Sequence, residues 1–207
     1  MSSEDEKQIN LYGSNVVSIS ENTFEDKQDV ESICLHFSSL NSIPNGIFNN
    51  LTALKELKIN YTDIENFSPG LFSGLTSLTA LNLRWNKLIS VPPAMFDGLE
   101  NLEVLELNEN KIEKIEPGTF KNLKKLFNLT LSDNKLESIS KDLFEGLENL
   151  VILNIFENKI TKLEANVFET LTDLADLGLG NNPIETIEDG AFNGLSNVTS
   201  LFLTGLF

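Results

Sequence analysis

The chain has a single cysteine and a single histidine, Cys34 and His36, two residues apart. A thiol beside an imidazole is the pair that nucleophilic catalysis uses, provided that a third group orients the imidazole. If this segment is a β-strand, both side chains point to the same face but stand about 7 Å apart, beyond hydrogen-bond reach. We therefore interpret the two as surface residues and predict no catalytic site.

The remaining motifs that carry chemistry are missing from the sequence. It contains no glycine-rich phosphate loop, no serine nucleophile elbow and no Cys/His metal spacing. Glu109, Asp133 and Glu157 recur at one spacing, and carboxylates on adjacent strands could converge on Ca²⁺. A lysine follows each of them two residues later, which favours a solvated, ion-paired row instead. We expect no cofactor, no bound metal and no enzymatic activity.

Charge narrows the classes of partner. The 31 acidic and 15 basic residues give a net charge of −16. Such a surface repels the phosphate backbone of nucleic acids and anionic membranes, whereas it suits a basic protein. No run of about 18 apolar residues is present, so membrane insertion is not expected. The sequence therefore favours a protein ligand, with no nucleic acid and no membrane insertion.

The elements that position these residues come from an internal repeat. Units of 24 residues begin at residues 6, 30, 54, 78, 102, 126, 150, 174 and 198 without insertion or deletion. They follow the template L-x-x-L-x-L-x-x-N-x-L-x-x-I-x-x-x-x-F-x-x-L, whose first part alternates as a half-buried strand does. Stacked units predict a parallel sheet of nine strands, roughly 38 Å long. We assign residues 1–5 to an acidic tail and 6–207 to one domain of eight units and a ninth partial strand.

Three further template positions have a structural interpretation. A recurring amide can satisfy backbone groups where the chain turns after each strand, with Ser14, Ser38 and Thr62 substituting in the first units. A recurring phenylalanine predicts an aromatic spine opposite the strands. The residues just before it favour a tight turn with positive φ. The recurring amides are Asn86, Asn110, Asn134, Asn158 and Asn182. The recurring phenylalanines are Phe24, Phe48, Phe72, Phe96, Phe120, Phe144, Phe168 and Phe192. The turn residues are Asn22, Gly46, Gly70, Gly118, Asp142, Asn166 and Gly190, with Ala94 as the exception.

The pattern resembles the leucine-rich-repeat superfamily, in its 24-residue class with phenylalanine on the convex side. It is similar to the repeats of Toll-like receptors, Slit-type guidance proteins and leucine-rich immune proteins, and the resemblance covers residues 6–207. The resemblance implies an α/β fold: a right-handed solenoid with parallel strands on the concave face and short 3₁₀ or irregular turns on the convex face. It also implies protein binding by the concave face and an extracellular setting, whereas a native start at Met1 would favour the cytoplasm, because MSSEDEKQ is unlike a secretory leader.

Residues that project from the strands vary while the framework stays fixed, as expected of a partner-binding surface. One row runs through Tyr12, His36, Asn60, Arg84, Asn108, Ser132, Phe156 and Gly180, and a second through Phe37, Tyr61 and Trp85 and on to the three acids. The alternative is that the aromatic residues only stack on one another and stabilise the sheet. The predicted partner-binding residues are Tyr12, His36, Phe37, Lys58, Tyr61, Arg84, Trp85, Val104, Ile152 and Phe156.

The ends depart from the extracellular members of the superfamily, which carry cysteine-rich caps. A solenoid needs polar terminal units, yet the last unit here reads LFLTGLF. We consider three interpretations: a fragment of a larger receptor, an unusual cap, and a structural protein that associates with itself through this apolar edge.

Overall fold

The computed structural model describes residues 7–13, 15–37 and 39–205. The L-x-x-L-x-L runs within this part form a parallel sheet of nine strands whose order follows the chain. The remaining short strands form two pairs, β5 with β7 and β10 with β12. The strands are β1 (Gln8–Gly13), β2 (Ser32–Phe37), β3 (Glu56–Asn60), β4 (Ala80–Asn82), β5 (Ser90–Val91), β6 (Val104–Glu106), β7 (Lys114–Ile115), β8 (Asn128–Thr130), β9 (Ile152–Asn154), β10 (Lys162–Leu163), β11 (Asp176–Gly178), β12 (Thr186–Ile187) and β13 (Ser200–Phe202).

The register of the main sheet equals the repeat length. Ile33 pairs with Leu57 and Leu57 with Leu81, so each residue lies beside its counterpart one unit away. Alternation then sends the same template positions inward in every unit. Leu57 and Ile59 in β3 have no exposed surface. The predicted parallel-strand solenoid is confirmed.

The phenylalanine spine is also confirmed. Four pairs of successive rings stack at similar separations, for example 6.1 Å between the centroids of Phe24 and Phe48 and 6.0 Å between those of Phe96 and Phe120. Six of these side chains, from Phe48 to Phe168, are essentially fully buried. Burying each of these side chains contributes roughly 1.5–3 kcal/mol to the stability of the fold. Together the rings fill the interior opposite the strands.

The side opposite the main sheet consists of turns and two short 3₁₀ segments, Pro93–Phe96 and Lys141–Phe144, as predicted. No helix in the described part is long and apolar enough to cross a membrane. The turn with positive φ is present at five of the predicted positions: Gly46, Gly70, Gly118, Asn166 and Gly190.

The same turn prediction is wrong at Asn22 and Asp142, which lack a positive φ, and Ala94, the noted exception, lacks one as well. Ala94 and Asp142 lie inside the two 3₁₀ segments, whose geometry turns the chain without left-handed backbone.

A ladder of asparagines joins consecutive units. Asn158 shows the pattern: its Nδ2 donates to the carbonyls of Leu131 (3.0 Å) and Ile155 (3.2 Å), and its Oδ1 accepts from the N–H of Leu136 (3.0 Å). Each amide therefore ties its own unit to the preceding one. Thr62 takes part in this ladder, since its hydroxyl contacts Asn86 Oδ1 and accepts from the N–H of Ile64.

Several positions interpreted from the sequence lie outside the described residues. They are the acidic tail, the turn residues Ser14 and Ser38, and the final Leu206 and Phe207.

Candidate functional site

The outward side of the nine-stranded sheet, called here the strand face, carries a continuous stack of rings. The ring centroids of His36 and Tyr61 are 4.5 Å apart with planes 9° apart, and those of Tyr61 and Trp85 are 5.3 Å and 8° apart. Tyr12 packs against His36 at 5.7 Å in a tilted geometry. Tyr61 and Trp85 remain 39% and 43% exposed. We call His36, Tyr61 and Trp85 the aromatic ladder.

The backbone presents this row through an unusual conformation. Tyr61 and Trp85 have φ values of 56°, and their counterparts in later units are left-handed too: Glu109, Asp133, Glu157 and Asn181, with φ between 52° and 57°. Each left-handed residue in this set immediately precedes a residue of the buried amide ladder, whose hydrogen bonds hold the turn. The sequence does not indicate this conformation, because tyrosine, tryptophan and glutamate rarely adopt it. Asn181 and Gly205 occupy the equivalent position in the last two units, and both residue types tolerate positive φ. They are the residues from which the left-handed turn could have been predicted.

Phe37 does not belong to this row, so the prediction that it joins the partner-binding surface is wrong. Strand β2 continues to Phe37 with extended backbone, whereas the equivalent residues Tyr61 and Trp85 are left-handed. Alternation along β2 therefore turns Phe37 inward, where it is 4% exposed within the core. Its ring is inaccessible to a partner.

Cys34 is also less accessible than expected. Cys34 pairs with Lys58, and His36 lies between Tyr12 and Asn60 on the neighbouring strands. Cys34 is nevertheless 9% exposed, although it projects toward the strand face. A hydrogen bond with its thiol raises the pKa of the Tyr12 hydroxyl. His36 is stacked on Tyr61.

The aromatic ladder continues into carboxylates. Glu109, Asp133 and Glu157, which we call the acidic ladder, occupy the next three left-handed positions. Burial, a hydrogen bond with Glu157 and the neighbouring negative charges raise the pKa of Asp133 to about 6. Burial also raises the pKa of Glu109, against the favourable charge of Arg84.

The expected pairing of these acids with the following lysines is wrong. The ion pairs of the described residues place Lys135 Nζ 3.8 Å from Glu113 and Lys87 Nζ 2.7 Å from Asp63, and none of them involves the acidic ladder. Each acid lies at a left-handed residue of the turn, whereas Lys87 and Lys135 reach carboxylates of the preceding unit, Asp63 and Glu113. The acidic ladder is therefore not neutralised from within. No group of three or more metal-binding side chains is present among the residues described.

The later units contribute a separate apolar group. Phe156 lies across Gly178 and Gly180, where an added Cβ would approach the ring to 2.5 Å, and its centroid is 6.2 Å from that of Phe202. Ile152 and Phe156 line a small cavity of about 110 Å³ there. The two glycines are thus a cradle for a half-buried ring.

The predicted site residues fall into two groups. Tyr12, His36, Tyr61, Arg84 and Trp85 lie on neighbouring units, and Lys58 beside them forms an ion pair with Glu56 at 2.7 Å. Val104 and Ile152 are half-buried in another row, on either side of Asn128.

Comparisons with known proteins agree with this architecture. Residues 28–88, 86–136 and 128–184 match the family model described as Leucine rich repeat. No curated protein matches the chain. The chain is similar to the solved structure of TLR13 in a complex with ssRNA13, with 25% identity and a TM-score of 0.78 over 95% of this chain and 36% of that one. It is also similar to the Toll–Spatzle complex of Drosophila in its glycosylated form, with 24% identity and a TM-score of 0.88 over 96% of this chain and 28% of that one. The chain thus spans about a third of the length of these structures.

Proposed function

Because the chain belongs to the leucine-rich-repeat family, we propose that it is a non-enzymatic recognition module of receptor or innate-immune type that binds a protein ligand through its strand face. The observation that carries this proposal is the exposed stack of Tyr61 and Trp85 on a rigid sheet. Large aromatic side chains dominate the energetics of protein interfaces. A preformed stack also avoids much of the side-chain entropy that binding otherwise costs.

The partner-binding residues follow from exposure on this face. The first group is Tyr12, His36, Lys58, Tyr61, Arg84 and Trp85, with the aromatic ladder at its centre. Val104, Ile152 and Phe156 form a second contact area toward the later units. A net charge of −16 supports a protein ligand over a nucleic acid.

The two similar structures contain ligands of different classes, a protein and an RNA. Toll is in a complex with Spatzle, and TLR13 is in a complex with ssRNA. For this chain, the acidic surface is the physical reason for preferring the protein.

The test compares ligand capture by variants of the immobilised chain. We expect Tyr61→Ala and Trp85→Ala to lose a protein that the wild type retains from extracts of the source organism. The matched control is Ile89→Ala, which removes a comparably exposed apolar side chain, 41% exposed, outside the main sheet. Unchanged capture by the ladder variants, together with lowered thermal stability, would show that the stack serves the sheet alone.

A second candidate function is self-association through the C-terminal edge. Leu201 and Phe202 in the last strand, β13, are 43% and 51% exposed, and Ile187 nearby is 45% exposed. Light scattering over a range of concentrations tests it. A monomer at every concentration refutes it, whereas a mass that grows with concentration and reverts in Phe202→Ser supports it.

A further inference from the structure

Three buried side-chain atoms on the strand face have no hydrogen-bond partner among the described residues, and two of them are acceptors. Asn60 is 6% exposed and its Oδ1 accepts no hydrogen bond. Asn128 is half-buried, and its buried Oδ1 also accepts none. Both side chains point outward, because the neighbouring Ile59 and Leu129 are fully buried on the opposite side of their strands. Among the described residues, Arg84 Nε is the one buried side-chain donor left without an acceptor.

The acidic ladder extends this excess of acceptors. Glu109, Asp133 and Glu157 follow directly on Trp85 in the same row, at rungs about 4.8 Å apart. Among the described residues none of the three forms an ion pair, and the charge of Arg84 acts on Glu109 alone. Asn181 Nδ2 donates to Glu157 Oε1 at 3.3 Å, which satisfies part of one carboxylate.

We propose that the strand face from Asn60 to Glu157 binds an extended polypeptide segment whose Arg or Lys side chains lie on the acidic ladder and over the ring of Trp85. This inference rests on the proposed function and names the chemistry of its ligand. Cationic side chains supply several donors each and carry no acceptor, so they can both hydrogen-bond and neutralise carboxylates that have no ion pair within the chain. The exposed face of a tryptophan attracts the same cations through its π electrons.

The geometry suits a segment that crosses the strands. Three rungs of the acidic ladder span about 10 Å, and Trp85 adds one rung more. Side chains on one side of an extended peptide recur about every 7 Å, so two or three cations fit this length. Charge complementarity of this kind sets orientation and speeds association.

The test uses the chain's single tryptophan, Trp85, as a reporter within the site. The probe is the synthetic peptide Arg-Thr-Arg-Thr-Arg, titrated at low salt while the emission of Trp85 is recorded. A peptide with citrulline at the three arginines has the same shape without the charge. We expect saturable change with the arginine peptide and at least about tenfold weaker binding of the citrulline peptide.

Matched variants separate the acidic ladder from the overall negative charge. Glu109→Gln, Asp133→Asn and Glu157→Gln are combined in one chain, and we expect about tenfold weaker binding of the arginine peptide. The control combines Glu137→Gln, Glu145→Gln and Glu169→Gln, exposed residues outside the strand face that remove the same charge. We expect the control to weaken binding less than about threefold. If the triple ladder variant fails to fold, Glu157→Gln alone serves, with an expected loss of about threefold.

Three results would overturn the inference: equal weakening in both triple variants, equal binding of the citrulline peptide, and an unchanged emission of Trp85. Tighter binding of a single-stranded RNA oligonucleotide at the same site would overturn it as well. The proposed function fails separately, when Tyr61→Ala and Trp85→Ala leave protein capture intact. A protein captured through the aromatic ladder without any response to the arginine peptide would refute this inference alone.

Discussion

The asparagine ladder gives the sharpest test of what holds the units together, and Asn158→Ala is the informative change. Asn158 is 7% exposed and lies within the later units. Its Oδ1 accepts from the N–H of Leu136, a residue that is itself 1% exposed. Alanine leaves that donor buried with no replacement on its own unit.

The expected loss of stability depends on which partners of Asn158 keep another hydrogen bond after the substitution. The carbonyls of Leu131 and Ile155 also accept from Asn134 and Asn182, at 3.1 Å and 2.9 Å, so they keep one partner each. The stranded Leu136 N–H costs about 1–3 kcal/mol, and each lost bond to a shared carbonyl about 0.5–1 kcal/mol. We expect Asn158→Ala to reduce the free energy of unfolding by about 2–5 kcal/mol.

Urea unfolding followed by circular dichroism measures this loss. The matched control is Asn149→Ala at the end of the preceding unit, where an exposed amide makes one bond to the carbonyl of Lys124 at 2.7 Å. The control should cost less than about 1 kcal/mol. Asn158→Asp separates the roles further, because a carboxylate still accepts from Leu136 but cannot donate to the two carbonyls. Equal stability losses for Asn158→Ala and Asn149→Ala would refute the reasoning.

Three further changes probe the spine, the cradle and the acidic ladder. Phe144→Ala should cost about 3–5 kcal/mol in urea unfolding, and Phe192→Ala clearly less, because Phe192 is half-buried. Gly178→Ala should lower the free energy of unfolding by about 1–3 kcal/mol, because it displaces the ring of Phe156. In a chain that already carries Phe156→Ala, the same change should cost much less. Additive effects of the two changes would contradict the contact. The pKa of Asp133 is raised from 3.8 to about 6, so the stability that this group contributes is present below pH 3.8 and is lost as the pH rises through 6. Asp133→Asn should therefore match the wild type near pH 4 and exceed its thermal stability at pH 7.5, and an equal difference at both pH values would contradict the sign.

The solenoid could be predicted from the sequence because every unit has the same residue types at the same buried and turn positions. Leu57, Ile59 and Phe72 each stand for a position that recurs every 24 residues, so eight copies of one weak signal add to a strong one. The asparagine ladder followed for the same reason: an amide that recurs after every strand has a backbone role to fill. Positions that vary gave no such support.

The candidate site was less predictable, and Phe37 shows why. It occupies the same template position as Tyr61 and Trp85, so the sequence placed all three in one row. Their side chains diverge because the backbone is extended at Phe37 and left-handed at the other two. The residue types themselves do not reveal this choice, since the hydrogen bonds of the buried asparagines impose it on whichever residue precedes them.

The same left-handed turn accounts for the acidic ladder. It swings Glu109, Asp133 and Glu157 outward onto the strand face, while the chain carries the lysines two residues later onto the flank, where Lys135 approaches Glu113. Each acid is close to a lysine along the sequence, which suggested an ion pair. In the fold the lysines do not form ion pairs with these acids. The result is a surface with three carboxylates that form no ion pair among the described residues, beside an exposed tryptophan. The structural device that shapes the turns is therefore also the one that sets the charge of the face on which we propose recognition to occur.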